Sequence, residues 1–292
     1  MKPAPFEYDD PRTVDEALDL LARHGDECKV LAGGQSLVPL MNFRLARPGR
    51  LIDINGVNEL SGIRREGGTL VVGAMTRHSE VERSNVIAES WPLLHEAIGW
   101  VGHAQIRNRG TVGGSVAHAD PAAELPAAFA ALEARFQLRS KRGSRALGWQ
   151  QFFIAEFTTA LAPDELVTSV EVPAQDPATG SAFVEFARRH GDFALGGAAV
   201  TIRLGRDGRC ENATIALLSA GPAPVRAGAA EEHLRGAKLD EPAIQAAAAE
   251  AVAGLHPTSD LHGGTEYRVS LLRTMTERAL AKAAQRAKRS AQ

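Results

Sequence analysis

Residues 32–37, Ala-Gly-Gly-Gln-Ser-Leu, and residues 111–115, Thr-Val-Gly-Gly-Ser, are the two stretches from which the fold of this chain is best inferred. Each adjoins apolar residues and has a serine close behind its glycine pair. Because glycine lacks Cβ and tolerates positive φ, its backbone N–H groups can approach a bulky anion and turn toward one side. Helices that begin after the loops would add a favourable dipole. The two segments therefore indicate a two-loop site for a phosphate-bearing ligand.

Neither glycine segment matches a common nucleotide-binding fingerprint. Both lack G-x-G-x-x-G, and neither continues into the G-K-[ST] of a P-loop. With 28 glycines in the chain, an ordinary turn is the simpler alternative for either segment taken alone. Arg107 and Arg109 precede the second segment, where either could neutralise a diphosphate or both could be solvated.

Composition excludes several functional classes. Hydrophobic residues make up 44% and charged residues 23%, and 33 basic residues face 35 acidic ones for a net charge of -2. This balance gives no electrostatic case for nucleic-acid binding. No apolar run reaches the roughly 18 residues of a membrane span, and the N-terminus lacks the apolar core of a secretory signal. We therefore expect a cytoplasmic protein without a membrane span.

The titratable residues argue against a metal site on this chain. Cys28 and Cys210 lie far apart and are too few for an iron–sulfur cluster, which takes four thiolates. His103, His118, Asp120 and Glu124 fit no H-E-x-x-H or similar ligand spacing.

Local patterns predict α+β structure in both parts of the chain. Thr13 and Glu16 form a capping box before a helix that Gly25 ends, and a buried helix is expected over 122–134. A linker over 173–180 separates the two parts. A short apolar run at 29–32 leads into the first glycine segment, and strands are predicted at 50–54, 69–74, 136–140, 166–172, 183–186, 198–204 and 210–218. Further helices are predicted at 37–45, 76–84, 91–102, 242–254 and 265–289.

Five motifs follow one another along the chain. They occupy residues 31–40, 51–55, 72–76, 106–115 and 119–124. Together they resemble the FAD-binding medium subunit of molybdenum hydroxylases, the carbon monoxide dehydrogenase and xanthine dehydrogenase relatives. The resemblance covers essentially the whole chain, because it extends to residues 188–194 and to residues 266–268 before the terminal helix.

The resemblance implies an α+β fold of two domains. Residues 1–176 would form a PCMH-type, vanillyl-alcohol-oxidase-like FAD-binding domain. Its two α+β subdomains would divide near 55–60 and hold FAD between them. Residues 177–292 would form a C-terminal α+β domain of the carbon monoxide dehydrogenase flavoprotein type.

The resemblance also implies which residues bind FAD without a covalent bond. From the two segments they are Ala32, Gly33, Gly34, Gln35, Ser36, Leu37, Thr111, Val112, Gly113, Gly114 and Ser115. Glu124 would hold the adenosine side, with Asp120 as a second candidate, and Leu166 belongs to the same set. Phe193 would stack against the flavin where the family more often has tyrosine. No catalytic acid–base pair is expected, because the cofactor carries out the redox chemistry.

In this family the substrate is hydroxylated at a molybdenum cofactor on a large subunit. Electrons pass through two [2Fe-2S] clusters on a small subunit to FAD and leave to an external acceptor. The resemblance therefore implies an electron-transfer subunit of a heterotrimer, assembled as a dimer of heterotrimers. One alternative is a stand-alone PCMH-type flavin oxidase or reductase, and another is a scaffold that has lost FAD.

Overall fold

The computed structural model describes residues 2–290 and begins with a small parallel sheet. Its elements are β1 (Glu7–Asp9), α1 (Val14–His24), β2 (Cys28–Leu31), α2 (Leu37–Asn42) and β3 (Arg50–Asp53). The strands lie in the order β1-β3-β2, and both pairs are parallel. The apolar face of α1, which carries Leu18 and Leu21, packs with Ile52 of β3 in one buried cluster. This packing fixes the sheet end from which the first glycine segment emerges.

The predicted cap of α1 is confirmed with one change of partner. The Thr13 hydroxyl accepts a hydrogen bond from the N–H of Glu16 at 3.2 Å. The Glu16 carboxylate, however, accepts from the N–H of Arg12 at 2.7 Å, one residue before the position that a capping box requires. Gly25 ends the helix with φ +46, a conformation that suits a residue without Cβ.

A five-stranded antiparallel sheet and seven helices follow. The elements are β4 (Ile63–Glu66), β5 (Thr69–Gly73), α3 (His78–Glu82), α4 (Asn85–Ser90), α5 (Pro92–Trp100), α6 (Ala104–Arg109), α7 (Val112–His118), α8 (Glu124–Ala131), β6 (Arg135–Ser140), β7 (Gly143–Gly148), α9 (Trp149–Phe152), β8 (Phe153–Ala155), β9 (Thr158–Thr159) and β10 (Leu166–Val172). The sheet order is β4-β5-β10-β6-β7, and β8 pairs with β9 separately. Strand β7 is not predicted from the sequence, because this edge strand is half-buried or exposed throughout and carries no apolar alternation.

The C-terminal part is a four-stranded antiparallel sheet with helices after it. Its elements are β11 (Gly180–Phe186), β12 (Gly196–Leu204), β13 (Cys210–Leu218), β14 (Val225–Arg226), α10 (Gly228–Leu234), α11 (Glu241–Ala251) and α12 (Thr265–Ser290). One face packs on α12, where Ala182 and Val200 join the cluster of Leu280. The other face packs on α5 and α8, where Phe183 and Leu218 join the cluster of that region. Helices on both faces therefore cover this sheet.

Helix α8 is the predicted buried helix, shorter than expected. It begins at Glu124 and ends at Ala131, and all eight of its residues are buried. Because α8 contacts both α5 and β13, it joins the second sheet's helices to the C-terminal sheet. A helix with no exposed face is typical of a position between two layers.

The predicted boundaries fall between elements of the structure. The first sheet ends at Asp53 and the second begins at Ile63, on either side of the predicted subdomain split near 55–60. Residues 173–179 connect β10 to β11. The division into domains near residue 176 stays a prediction. Within residues 2–290, no helix combines the length and the apolar character needed to cross a bilayer.

The packing of α12 on β11 generates a stability prediction. A methyl group at Gly180 would lie 2.1 Å from the carbonyl oxygen of Ala283 and 2.2 Å from the nitrogen of Ala287. The backbone of α12 would have to shift, so we expect Gly180→Ala to lower the free energy of unfolding by about 1–3 kcal/mol. Urea denaturation followed by circular dichroism measures this change.

Gly228→Ala is the matched control, because a methyl group there meets nothing within 4 Å. We expect this variant to be as stable as the wild type, or slightly more stable, since alanine favours the helix that Gly228 begins. Equal urea midpoints for Gly180→Ala and the control would contradict the close contact.

Candidate functional site

The two glycine segments lie side by side. A methyl group at Gly33 would stand 2.5 Å from the carbonyl oxygen of Arg109 and 2.9 Å from Cα of Gly110. A methyl group at Gly114 would be 3.6 Å from Cβ of Ala32. Residues far apart in the chain thus form one continuous backbone surface, as a shared ligand site requires.

The first segment presents a row of free backbone donors. The N–H groups of residues 33–36 make no hydrogen bond to any other residue in the range 2–290. Gly34 has φ +73, a conformation that glycine adopts without strain. The carbonyl of Gly34 accepts from the N–H of Val38 at 3.1 Å, which holds the turn against the start of α2. Gly33 is buried and residues 34–36 are half-buried, so an anion that reached this turn would meet backbone donors with no partner among the described residues.

The second segment differs from the sequence expectation. We expected a loop followed by a helix, but the glycine pair lies in the first turn of α7, for which Thr111 is the N-cap. Its N–H groups already have protein acceptors. Val112 donates to the carbonyl of Thr76 at 3.1 Å, and Gly113 donates to the carbonyl of Ala74 at 2.7 Å. Gly114 donates to the hydroxyl of Thr111 at 3.2 Å. The expectation of free donors in this segment is therefore wrong.

Close packing explains the glycines of the second segment instead. A methyl group at Gly113 would lie 2.5 Å from Cβ of Ala74, just after β5. A methyl group at Gly114 would lie 2.6 Å from the Thr111 hydroxyl oxygen. Both glycines let α7 approach the second sheet and the first segment. The half-buried Ser115 is in the same turn of α7.

Arg77 and Asn55 connect the two segments, and sequence reasoning gave neither a role. Asn55 Nδ2 donates to the carbonyl of Ala32 at 2.8 Å, and Arg77 Nη2 donates to Asn55 Oδ1 at 2.6 Å. Arg77 Nη1 also donates to the carbonyl of Arg109. Asn55 closes the motif at 51–55, but no spacing in the sequence points to Arg77.

The arginines around the site divide into two kinds. Arg107 forms an ion pair with Glu82, with 2.9 Å between Nε and Oε2, and is therefore a structural residue. Arg109 is exposed, and Arg77 is half-buried beside it. Burial, and then the positive charge of Arg109, lowers the pKa of Arg77. Two neighbouring cations that repel each other favour an anion in the same place.

His78 contributes no charge to the site at neutral pH. Its side chain is 4% exposed, and burial lowers its pKa to about 4. A methyl group at Gly110 would lie 2.8 Å from His78 Nδ1, so the neutral ring packs beneath the turn before α7.

The two acidic candidates lie at the opposite end of α7 from the glycine pair. Asp120 Oδ1 accepts from the N–H of Ala122 at 2.9 Å, and its Oδ2 lies 4.0 Å from His118 Nε2. Glu124 is 7% exposed at the start of α8. Burial raises the pKa of Glu124 to about 7, against the opposing effect of its own backbone N–H.

The remaining two candidates lie in different surroundings. Leu166 is buried at the start of β10 and belongs to the apolar cluster against which Ala32 of the first segment packs. Phe193 is 72% exposed on the loop between β11 and β12. Next to it on that loop, Gly191 packs against the ring of His103, and His190 lies 5.6 Å from Trp100 between ring centroids. This contact brings the loop of Phe193 against the segment that leads into α6.

Comparison with known proteins places both parts of the chain in described families. A family described as the FAD binding domain in molybdopterin dehydrogenase matches residues 4–175. The CO dehydrogenase flavoprotein C-terminal domain matches residues 181–283.

Full-length relatives and solved structures agree with this. The 6-hydroxypseudooxynicotine dehydrogenase complex subunit alpha of Paenarthrobacter nicotinovorans is 46% identical over 99% of this chain and 97% of its own length. The caffeine dehydrogenase subunit beta of Pseudomonas sp. strain CBB1 is 43% identical over 98% and 97%. A carbon monoxide dehydrogenase structure from Hydrogenophaga pseudoflava superposes with a TM-score of 0.95 at 41% identity, covering 98% of this chain and 99% of that one. The chain therefore belongs to the family of FAD-binding medium subunits of molybdenum hydroxylases, and it is an oxidoreductase subunit.

Proposed function

We propose that this chain binds FAD non-covalently across the two glycine segments and passes electrons from the [2Fe-2S] clusters of a partner subunit to an external acceptor. The observation that carries the proposal is the row of four N–H groups at residues 33–36 that have no partner among residues 2–290, beside the Arg109–Gly110 peptide whose carbonyl binds the Arg77 guanidinium. This arrangement suits a diphosphate, which needs several donors and neutralising charge at one place.

The residues of the site divide the binding of FAD among them. Residues 33–36 donate hydrogen bonds to the diphosphate, and Arg77 and Arg109 neutralise its charge. Residues 111–115 allow close approach, because the glycines there carry no side chain. Glu124 or Asp120 accepts hydrogen bonds from hydroxyl groups, and Phe193 offers an exposed ring for stacking. FAD, when bound, supplies the redox chemistry, and the protein supplies binding and orientation.

The proposed partners are a large subunit with the molybdenum cofactor and a small subunit with two [2Fe-2S] clusters, in a dimer of heterotrimers. Two facts support this. Relatives are named as the alpha subunit, beta subunit or medium chain of dehydrogenases. This chain has two cysteines in all, too few for a cluster. We also propose a cytoplasmic location, because Cys28 and Cys210 are free and need no oxidising compartment.

The substrate would be chosen on the molybdenum subunit. Similar relatives are named for different substrates, among them 6-hydroxypseudooxynicotine, caffeine and carbon monoxide. Identity to this chain is 39–46% for these three, so similarity of the medium subunit does not single out one substrate.

Expression of the chain alone tests the proposed function. We expect a yellow protein with one FAD per chain, measured by absorbance after acid release, that turns over no substrate by itself. Flavin-dependent turnover without partners would instead support the stand-alone oxidase or reductase. A colourless protein that takes up no added FAD would support the scaffold that has lost its cofactor.

Gly33→Ala tests the contact between the glycine segments. The added methyl group, 2.5 Å from the carbonyl oxygen of Arg109, would push the segments apart and misplace the donor row. We expect the dissociation constant for FAD to rise at least tenfold, which corresponds to about 1.4 kcal/mol of binding free energy, and the FAD content of the purified chain to fall.

Gly99→Ala is the matched control for that variant. Gly99 lies in helix α5, and a methyl group there meets nothing within 4 Å. It should keep the FAD content of the wild type. Full FAD content in Gly33→Ala would refute the assignment of the diphosphate to this junction.

A further inference from the structure

A row of polar side chains crosses the first sheet and ends at the first glycine segment. The sheet order is β1-β3-β2, and the row consists of Tyr8 from β1, Asp53 from the end of β3 and Asn55 from the turn after it. Strand β2 leads directly into Ala32, whose carbonyl Asn55 binds. Tyr8 and Asp53 have no part in the proposed function as it stands.

The register of the parallel strands places these groups together. Tyr8 is opposite Leu51, so the side chain of Asp53, two residues further along β3, is on the same face of the sheet. On the other side of β3, Asp53 is opposite Leu31, the last residue of β2. Asp53 therefore lies between the phenol of β1 and the start of the glycine segment.

Both oxygen atoms of the Asp53 carboxylate accept hydrogen bonds. Oδ1 accepts from the backbone N–H of Asn55 at 2.9 Å and also from its side-chain amide. Oδ2 accepts from the hydroxyl of Tyr8 at 2.6 Å. Capping of the turn at 54–56 uses Oδ1 alone, so the bond from Tyr8, 45 residues away, is a separate constraint. It fixes the rotation of the carboxylate, and the carboxylate in turn orients the Asn55 amide.

The Asn55 amide passes this constraint to both glycine segments. Its Nδ2 donates to the carbonyl of Ala32 at 2.8 Å, and its Oδ1 accepts from Arg77 at 2.6 Å. Arg77 in turn donates to the carbonyl of Arg109. A flipped amide would direct its oxygen at the Ala32 carbonyl and its N–H groups at the guanidinium. The bond to Asp53 therefore selects the orientation that binds both partners.

Hydrogen bonding also sets the charge states in this row. The hydrogen bond to Asp53 raises the pKa of Tyr8 to about 12, so the phenol keeps its proton at neutral pH and is the donor. Burial raises the pKa of Asp53, but hydrogen bonds from Tyr8 and Asn55 outweigh it and hold that pKa below its usual value. The carboxylate is therefore ionised at neutral pH and accepts all three bonds.

Asp53 is also a counter-charge for the two arginines at the site. The positive charge of Arg109 stabilises the ionised form of Asp53, and Asp53 stabilises the charged form of Arg77. A carboxylate here offsets the repulsion between the two guanidinium groups. The other charged groups around Tyr8 pair with each other, Arg12 with Asp10 and Arg50 with Asp9.

We propose that Tyr8 and Asp53 are positioning residues of the FAD site, which act through Asn55 to hold the first glycine segment and Arg77 in the arrangement that binds the diphosphate. Neither side chain contacts FAD in this assignment, because each acts on the orientation of the Asn55 amide. The inference rests on the proposed function. It makes a tyrosine hydroxyl on the far edge strand of the first sheet part of the support of the cofactor site.

The test compares Tyr8→Phe with the wild type as full-length chains freed of FAD. The substitution removes only a hydroxyl group, from a side chain that is 54% exposed, so the packing of the sheet is kept. We expect the dissociation constant for FAD, from quenching of flavin fluorescence at pH 7, to rise about three- to tenfold. This is the size expected for one lost hydrogen bond that acts indirectly.

Tyr267→Phe is the matched control, because it makes the same chemical change at the other of the chain's two tyrosines. Tyr267 is also exposed and lies at the start of α12, away from the first sheet in the fold. This variant should bind FAD as the wild type does.

A double-mutant cycle with Asn55→Ala shows whether Tyr8 acts through Asn55. If it does, the loss of the Tyr8 hydroxyl has no further effect once Asn55 is alanine. The double variant should then bind FAD as weakly as Asn55→Ala alone, since the two residues form one network. Additive losses in the double variant would overturn the route through Asn55.

Phosphorus NMR of bound FAD separates positioning from a loss of stability. The phosphorus resonances of the diphosphate depend on the donors around it. In chains saturated with FAD, we expect these resonances to shift in Tyr8→Phe and to keep their wild-type positions in Tyr267→Phe. Weaker binding without a shift would overturn the inference, since a structural role explains that result.

The affinity measurements also distinguish this inference from the proposed function. Equal FAD affinity in Tyr8→Phe and the wild type would overturn the inference and leave the proposed function intact. A wild-type chain that binds no FAD would refute the proposed function itself.

Discussion

The close backbone contact between Gly33 and the Arg109–Gly110 peptide is the constraint on which the rest of the site depends. No side chain fits between these segments, because even a methyl group at Gly33 would lie 2.5 Å from a carbonyl oxygen. The contact holds the turn that follows β2 of the first sheet against the peptide between α6 and α7. Arg77 and Asn55 then fix the register of the two by binding the carbonyl groups on either side. The ends of a small parallel sheet and a larger antiparallel one are thereby held side by side.

The two glycine segments are alike in sequence but differ in what their glycines do. The N–H groups of residues 33–36 have no partner within the described part of the chain, whereas residues 112–114 donate theirs to neighbouring oxygen atoms of the protein. The reason is secondary structure. The first pair is in an irregular turn, and the second is in the first turn of a helix that packs against Ala74. Glycine serves conformation and donor access in one case and close packing in the other.

The C-terminal sheet packs on α5 and α8 through a largely apolar contact that includes Phe183 and Leu218. Helix α8 is buried on every side, and its contact with β13 is part of the largest cluster. Two buried carboxyl groups, Glu124 at the start of α8 and Glu185 on β11, interrupt this region, and apolar side chains of the same size would pack there without the desolvation cost. Polar groups retained at such a cost are common at functional sites, since a ligand can balance them.

The sequence by itself determined the elements whose signals are local. These signals depend on neighbours within a few residues, and the structure contains each element. They are the helix cap at Thr13, the helix end at Gly25, the β-branched strand at 166–172 and the buried helix that ends at Ala131. The order of five motifs along the chain also indicated the family, which the family matches confirm. Tertiary structure alone decided which N–H groups have no partner among the described residues and that Arg77 binds the carbonyl of Arg109 from 32 residues away. Contacts between distant segments depend on how layers pack, and hydrophobic periodicity shows which face is buried but not what it is buried against.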